Sequence, residues 1–246
     1  MDLQSTPSTP AVESSPSTQT QNKCTVILVH GFFRTRRDMA FLQRGLERHG
    51  YRAISVELPI TCGTIADGVA ALDLQLDQEQ LQGERIAFVA HSMGGLVVRT
   101  LIAQKLQNPS ATPLDISHCV FIGTPHRGTP LADLALHIPG VGRFFRALYD
   151  LRITPQGSWA AALLHPSENS SIHTDLKVGA IAATRAFILP GRFFISDVND
   201  GMVPLSSALP PDADAVVQLP YNHVTIHKRT ATLNAIVSFL ERAQFF

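Results

Sequence analysis

The chain lacks a charge imbalance: its 20 Lys and Arg residues offset 20 Asp and Glu. With no excess of either sign, no overall field draws it to nucleic acid or to an anionic membrane. Its three cysteines, Cys24, Cys62 and Cys119, cannot all pair within one chain, and none sits in a C-x-x-C unit. They read as small buried or half-buried thiols in a reducing compartment rather than as a disulfide framework. No apolar run approaches the roughly 18 residues of a membrane span, and the amino terminus lacks the basic-then-apolar layout of a secretory signal. These absences point to a cytoplasmic location without an integral membrane segment. Neither Gly-x-x-x-x-Gly-Lys-Ser/Thr nor a Gly-x-Gly-x-x-Gly fingerprint follows a strand, so no nucleotide site is expected. His223 and His227 are four apart, but His-Val-Thr-Ile-His has no Glu of the His-Glu-x-x-His type and follows Pro220 in a loop, so no metal is expected.

What is present suffices for one large core. In 246 residues, 45% are hydrophobic and 16% charged, enough for a single α/β domain. Residues 1–22 are Ser, Thr, Pro and Gln with few large apolar side chains, the composition of a disordered leader; the domain is expected over 23–246. Apolar strands alternate with amphipathic helices. Cys24 to Val29 reads as the first central strand, Tyr51 to Val56 as the next, and Ile65, Val69, Leu72 and Leu76 mark a helix reaching about Gln82. Asp38 is placed to cap the helix carrying Met39, Leu42 and Leu46, with Gly50 to stop it. Further strands are expected at Asp115–Ile122, Lys177–Thr184 and Ala215–Leu219, and a closing helix carries Leu233, Ile236, Val237 and Leu240 on one face. Helical crossovers between apolar strands imply parallel pairing.

The chain is organised around residues 85–98. Ile86 to Ala90 reads as a buried strand, Gly94-Gly95-Leu96-Val97-Val98 opens a helix to about Gln107, and Ser92 lies on the turn between them. Such a turn strains the serine backbone, so small residues are needed two positions before and after it; here these are Ala90 and Gly94. The arrangement is that of a nucleophile elbow. Upstream, the strand Thr25–Val29 ends in His30-Gly31-Phe32-Phe33, where the Phe32 N–H could join the Met93 N–H in holding an oxyanion. Downstream, an Asp in Asn199-Asp200-Gly201-Met202-Val203-Pro204 and a His in Tyr221-Asn222-His223 complete the order Ser, Asp, His.

With Val29-His30-Gly31-Phe32, Ala90-His91-Ser92-Met93-Gly94-Gly95, Gly123-Thr124-Pro125-His126-Arg127-Gly128-Thr129 and Asp200-Gly201-Met202-Val203-Pro204, the chain resembles the α/β-hydrolase lipases and esterases. The likeness is closest to the lipase-like serine esterases and runs from about Cys24 to the C-terminus. It implies the α/β-hydrolase fold: a mostly parallel central sheet flanked by helices, with a small apolar cap inserted at about 131–175. It also implies a cofactor-free ester hydrolase acting on a small-molecule or lipid ester, with Ser92, Asp200 and His223 as catalytic residues.

Alternatives remain at several positions. Asp197 competes with Asp200 as the partner of the histidine, but Asp200 matches the family's Asp-Gly-x-Val-Pro motif and Asp197 suits a turn. His227 is a lesser candidate for the base, and His126 reads as structural, because the base follows the acid in this arrangement. His30 is expected to steady the oxyanion loop by hydrogen bonding. Phe33 and Arg34 are candidates for substrate contact, with Arg36 and Arg37 beside them. Within the insertion, Leu131, Leu134, Ala135, Ile138, Phe144, Phe145, Leu148, Tyr149, Leu151 and Trp159 fit either core packing or a substrate-facing cap. The same constellation serves thioesterases, amidases and acyltransferases, and a hydrolase-like binding module would keep the fold without the chemistry. Oligomeric state is not legible.

Overall fold

The computed structural model describes residues 23–81, 83–107, 114–153, 175–187 and 189–246. The expected leader and the part of the insertion that holds Trp159 lie outside the described residues. The strands are β1 (Thr25–Val29), β2 (Ala53–Val56), β3 (Arg85–His91), β4 (Asp115–Ile122), β5 (Lys177–Ala183) and β6 (Ala215–Leu219). They form one sheet in the order β2-β1-β3-β4-β5-β6, and every neighbouring pair is parallel. Together with the flanking helices this is an α/β-hydrolase fold. The order reverses after β2, so β1 and β3 flank a switch point, beyond whose carboxyl ends open α/β sheets place their ligands.

Side-chain alternation along the strands sorts two cores. Ile27, Val29, Phe88, Ala90, Cys119 and Phe121 face α2 (Ile65–Gln78) and α3 (Met93–Gln107). Val26, Leu28, Val89, Val120 and Ile122 face α1 (Ala40–Arg48) and α9 (Thr230–Arg242). Burial on both faces explains why the central strands read as continuous apolar runs. The outer strand β6 is the exception, since Val216 and Gln218 alternate with half-buried residues at the sheet edge.

Helix ends follow local chemistry, with one correction. A 3₁₀ turn over Arg36–Met39 precedes α1, and its N-cap is Thr35; Asp38 is the third residue of that turn, where its carboxylate accepts from the Thr35 N–H at 3.3 Å. The α2 start has the same reciprocal form, with the Asp67 carboxylate accepting from the Thr64 N–H at 2.8 Å and Thr64 Oγ1 accepting from the Asp67 N–H at 3.1 Å. That helix ends at Gln78, short of Gln82, because Gln80 and Gly83 turn the chain through positive φ. The second strand begins later than Tyr51 in regular structure, although the Val26 N–H already donates to the Arg52 carbonyl at 2.8 Å. Cys62 is exposed, which departs from the expectation of buried thiols; Cys24 is half-buried, and Cys119 is buried with its thiol pKa pushed up to about 12 by loss of solvent.

The described part of the insertion, up to residue 153, forms three short helices, α4 (Pro130–Leu136), α5 (Val141–Phe144) and α6 (Ala147–Asp150). Leu131, Ala132, Ala147, Leu148 and Leu151 are buried in its base, whereas Leu134, Ile138, Phe144 and Tyr149 are exposed. Its apolar residues are thus divided between a buried base and an exposed face. Beyond β5, α7 (Leu189–Phe194) and α8 (Leu205–Ala208) frame the loop that carries Asp200.

Beneath α3 lies a buried ion pair. Arg99 donates to both carboxylate oxygens of Asp212, at 2.9 and 2.6 Å, and its guanidinium stacks 4.9 Å from the Phe121 ring centroid. Desolvating both charges is costly, so losing one partner should destabilise far more than losing both. Asp212→Ala should lower unfolding stability by about 3–5 kcal/mol in urea titrations, and an Arg99→Met/Asp212→Leu double variant by much less. Equal losses would show that the charges are not held in a low-dielectric setting.

Candidate active site

The elbow forms because β3 runs straight into α3 with one residue between them. Ser92 occupies that place with φ of 55°, a left-handed conformation uncommon for a residue with a side chain. Its N–H donates to the Ile122 carbonyl at 2.9 Å, and its own carbonyl accepts from the Gly95 N–H at 3.0 Å. The surrounding chain leaves no room for larger neighbours. A Cβ on Gly94 would stand 2.3 Å from the His30 carbonyl oxygen, and one on Gly31 would stand 2.7 Å from Ser92 Cβ. The β1 loop is therefore pressed against the serine, and the N-terminus of α3 points its positive end there.

From the other side of the sheet come the acid and the histidine. His223 Nδ1 lies 2.7 Å from Asp200 Oδ2, and His223 Nε2 lies 2.8 Å from Ser92 Oγ. An ionised carboxylate only accepts, so Nδ1 carries the proton and Nε2 is left to accept from the Ser92 hydroxyl. The second oxygen, Asp200 Oδ1, accepts from the Met202 and Val203 N–H groups at 2.9 and 2.7 Å. Asp200 is buried, with one carboxylate oxygen held by two backbone donors and the other facing His223. Such a chain can draw a proton from the hydroxyl onto the imidazole and compensate the charge that forms.

The motif Gly123–Thr129 fixes the acid loop in place. The His126 N–H donates to the Ser207 carbonyl at 2.9 Å, the Arg127 N–H donates to Ser207 Oγ at 3.0 Å, and Ser207 Oγ donates to the Gly128 carbonyl at 2.7 Å. Thr129 Oγ1 donates to the Met202 carbonyl at 2.6 Å. His126 itself is buried with its ring against Phe121, as a structural residue would be, and burial holds its pKa well below the ordinary range. Sequence reasoning missed Ser207 and the Arg99–Asp212 pair. Ser207 carries no motif, but Arg99 had a signal: a charge within the otherwise apolar Leu96–Ile102 run of a helix.

The other candidates disperse. Asp197 Oδ2 accepts from the Ser206 N–H at 3.0 Å, in the turn role expected of it. His30 accepts from the Leu58 N–H through Nε2 at 3.0 Å and donates from Nδ1 to the Gly31 carbonyl at 2.9 Å, bracing the loop before Phe32. Phe33 is 57% exposed, with φ of 54° and its ring 4.9 Å from that of Phe145. Arg34 turns toward Asp38, 3.9 Å away, while Arg36 and Arg37 line a separate cleft beside β2 with Gln43, Ser55 and Glu79. His227 is fully buried, and its ring lies 4.2 Å from that of His91 instead of near Ser92. Among the described residues no group of three or more His, Cys, Asp or Glu side chains converges as metal ligands, and no helix is long and apolar enough to cross a membrane.

A family model described as "Domain of unknown function (DUF7379)" matches residues 3–165. Among curated proteins, triacylglycerol lipase 2 of Saccharomyces cerevisiae is 33% identical over 103 residues, which is 39% of this chain and 30% of that protein. The match therefore spans under a third of that relative. Among solved structures, the mature form of the Bacillus licheniformis lipase BlEst2 superposes with a TM-score of 0.67 at 19% identity, covering 95% of both chains. A metagenomic carboxyl esterase superposes with a TM-score of 0.64 at 17% identity over 89% of this chain and 71% of that one. At such identities the likeness is one of fold.

The buried histidines make stability depend on pH. Burial, then the nearby Lys228, pushes the His227 pKa down to about 3, from an ordinary value near 6.5. The unfolded chain therefore binds a proton below pH about 6.5 that the native site refuses until about 3, and stability falls with acidity across that window. The slope from this group reaches about 1.4 kcal/mol per pH unit. Urea midpoints measured between pH 7.5 and 4.5 should fall less steeply in His227→Leu than in the unsubstituted protein; parallel curves would contradict this linkage.

Proposed function

The chain belongs to the DUF7379 domain family, and we propose that it is a serine hydrolase that cleaves carboxylic esters, of the carboxylesterase or lipase-like kind. The observation that carries this reading is the unbroken hydrogen-bond line from Ser92 Oγ through both nitrogens of His223 to Asp200 Oδ2, built on a left-handed serine. A binding module would have no need of that strain or of a buried carboxylate held by two backbone donors.

In the mechanism that follows from this geometry, His223 Nε2 takes the Ser92 proton as Oγ attacks the ester carbonyl carbon. Negative charge gathers on the carbonyl oxygen, where the Phe32 and Met93 N–H groups act as the oxyanion donors at the N-terminus of α3. The tetrahedral species collapses, His223 gives its proton to the departing alcohol, and Ser92 is left acylated. Water then enters: His223 takes one of its protons as the water oxygen attacks the acyl carbon, and on collapse the Ser92 Oγ–acyl bond breaks, His223 returns the proton to Ser92 Oγ and the carboxylic acid leaves. Asp200 keeps the imidazole in the Nδ1–H tautomer and stabilises the imidazolium without accepting the proton.

Apolar side chains at the carboxyl end of the sheet support an acyl chain or lipid as the group read by the site. Phe32 and Phe33 pack edge-on against one another and against Phe145 at 4.5 to 6.0 Å. Phe144 on α5 and Phe193 on α7 stay 67% and 70% exposed. Of the aromatic group, Phe33 is 57% exposed beside Phe32 and Phe145, which gives an acyl chain an apolar contact next to the proposed oxyanion loop. The names of the curated and structural relatives, lipase and carboxyl esterase, favour the same substrate class.

A fluorophosphonate probe tests the nucleophile without knowledge of the substrate. Intact mass should show one adduct, peptide mapping should place it on Ser92, and His223→Ala should abolish it. Ser92→Ala should lower ester turnover by roughly 10³- to 10⁶-fold, with the double variant little worse. For a series of 4-nitrophenyl esters, kcat/KM should climb with acyl length, by up to about fourfold per buried methylene at about 0.8 kcal/mol each. A folded protein that neither takes the probe nor hydrolyses any ester would sink the assignment.

A further inference from the structure

His91 immediately precedes the proposed nucleophile and plays no part in the proton path above, yet it is buried and makes a specific bond. Its Nε2 lies 3.0 Å from the carbonyl oxygen of His223. A carbonyl only accepts, so Nε2 carries the proton and donates it. The backbone of His223 is thereby engaged at both polar groups, because its N–H donates to the Asp200 carbonyl at 3.0 Å. Its side chain is engaged at both nitrogens as well, by Asp200 and Ser92.

We propose that His91 is a positioning residue for His223: the end of β3 holds the nucleophile at Ser92 and, one residue earlier, grips the backbone of the base. The inference rests on the reading of Ser92, His223 and Asp200 as the reactive set. His223 lies in the loop between β6 and the 3₁₀ turn Ile226–Lys228, outside any regular element, and β6 is an edge strand. Loops of that kind are the mobile parts of a fold. By contrast β3 is paired along its length to β1 and β4. The bond from His91 thus ties the loop that carries His223 to a central strand of the sheet. Since residues 91 and 92 are covalent neighbours, the Oγ–Nε2 separation becomes a property of one strand end.

The surroundings keep this donor uncharged. His91 is packed between the rings of His223 at 4.9 Å and His227 at 4.2 Å, and Arg34 lies close enough to add to their effect. Burial first, then His227, His223 and Arg34, hold its pKa well below the ordinary value, outweighing the bond to the His223 carbonyl. Lys228 and Asp38 act on the neighbouring His227 with opposite signs. A neutral His91 can hold its carbonyl while the adjacent His223 ring becomes an imidazolium, whereas a charged lysine or arginine at that place would oppose it.

A side chain that only filled space could be replaced by leucine with loss of stability alone. His91→Leu, which removes the donor, should instead lower kcat for a soluble ester by about 10²-fold, the loss expected from a misplacement of about 1 Å, while KM stays within about threefold. His91→Gln offers an amide N–H at similar reach and should recover most of kcat; the acid limb of the pH–kcat/KM profile should shift in the leucine variant and return in the glutamine one. Leucine and glutamine variants with equal rates, or a leucine variant within twofold of the unsubstituted enzyme, would overturn the proposal while fluorophosphonate labelling of Ser92 leaves the parent reading standing. Absence of both labelling and turnover in the unsubstituted protein would overturn both. If the variants do not fold, ¹⁵N-histidine spectra of the unsubstituted protein decide: an Nε2–H tautomer for His91 with scalar coupling to the His223 carbonyl supports the proposal, and an Nδ1–H tautomer ends it.

Discussion

The left-handed backbone at Ser92 is the constraint on which the remaining site depends. A residue with a Cβ adopts φ of 55° only if its surroundings over-determine it, and here they do so from three directions. The Ile122 carbonyl of β4 takes the serine N–H, the glycine at position 94 lets α3 approach the His30 carbonyl, and Gly31 lets the β1 loop lie on the serine side chain. Each contact comes from a different neighbour of β3, which explains why the elbow sits at the centre of the sheet. An edge strand would have lacked one of those walls. The same crowding brings the Phe32 segment and the start of α3 to one place, so the strained turn and the proposed oxyanion donors share a single cause.

Around that turn, the loops that carry the candidate site are tied to the sheet by buried polar bonds. Asp200 uses one oxygen for two backbone N–H groups and the other for His223. Ser207 and Thr129 join the acid loop to the Gly123–Thr129 motif, and the Arg99–Asp212 pair joins α3 to the segment leading into β6. Satisfied networks of this sort are directional, and directionality is what a reacting geometry needs. An apolar interface of equal area would hold the loops on the sheet but allow them to slide. The α4–α6 insertion shows the contrasting solution, with a buried apolar base and an exposed aromatic face.

How much of this was legible in the sequence varied with range. The strands were readable because both faces are buried and the runs are apolar, and the elbow because size limits at Ala90 and Gly94 appear as residue types. Chain order then placed Asp200 and His223 without knowledge of their distance from Ser92. Boundaries were less accurate where backbone conformation decided them, as at Gln80, whose positive φ ended α2 early with no distinctive residue to announce it. The cap of the first helix fell to Thr35 because the side chain three residues on, Asp38, completes a reciprocal pair that a single-residue reading overlooks. Ser207 and Asp212 were invisible because their partners lie 79 and 113 residues away in the chain. Arg34 is a candidate for substrate contact from its place beside the expected oxyanion loop, and the structure adds a carboxylate that the sequence reading did not weigh, Asp38 at 3.9 Å.

The histidines carry this lesson to its limit, since three of them share one small volume and one residue type. His223 has an acceptor for its Nδ1–H and a hydroxyl for Nε2, so both ring nitrogens face fixed partners. His227 has neither nitrogen hydrogen-bonded among the described residues, and burial drives it to remain neutral. His91 stands between them, with one nitrogen committed to a backbone carbonyl. Sequence alone ranks His227 below His223 as a base from its later place in the chain, but a spacing of four residues says nothing about which ring meets a carboxylate. The structure sharpens that ranking by setting Asp200, from the loop beyond β5, against His223: a histidine facing a buried carboxylate becomes a candidate base, and those packed against it are held uncharged by burial.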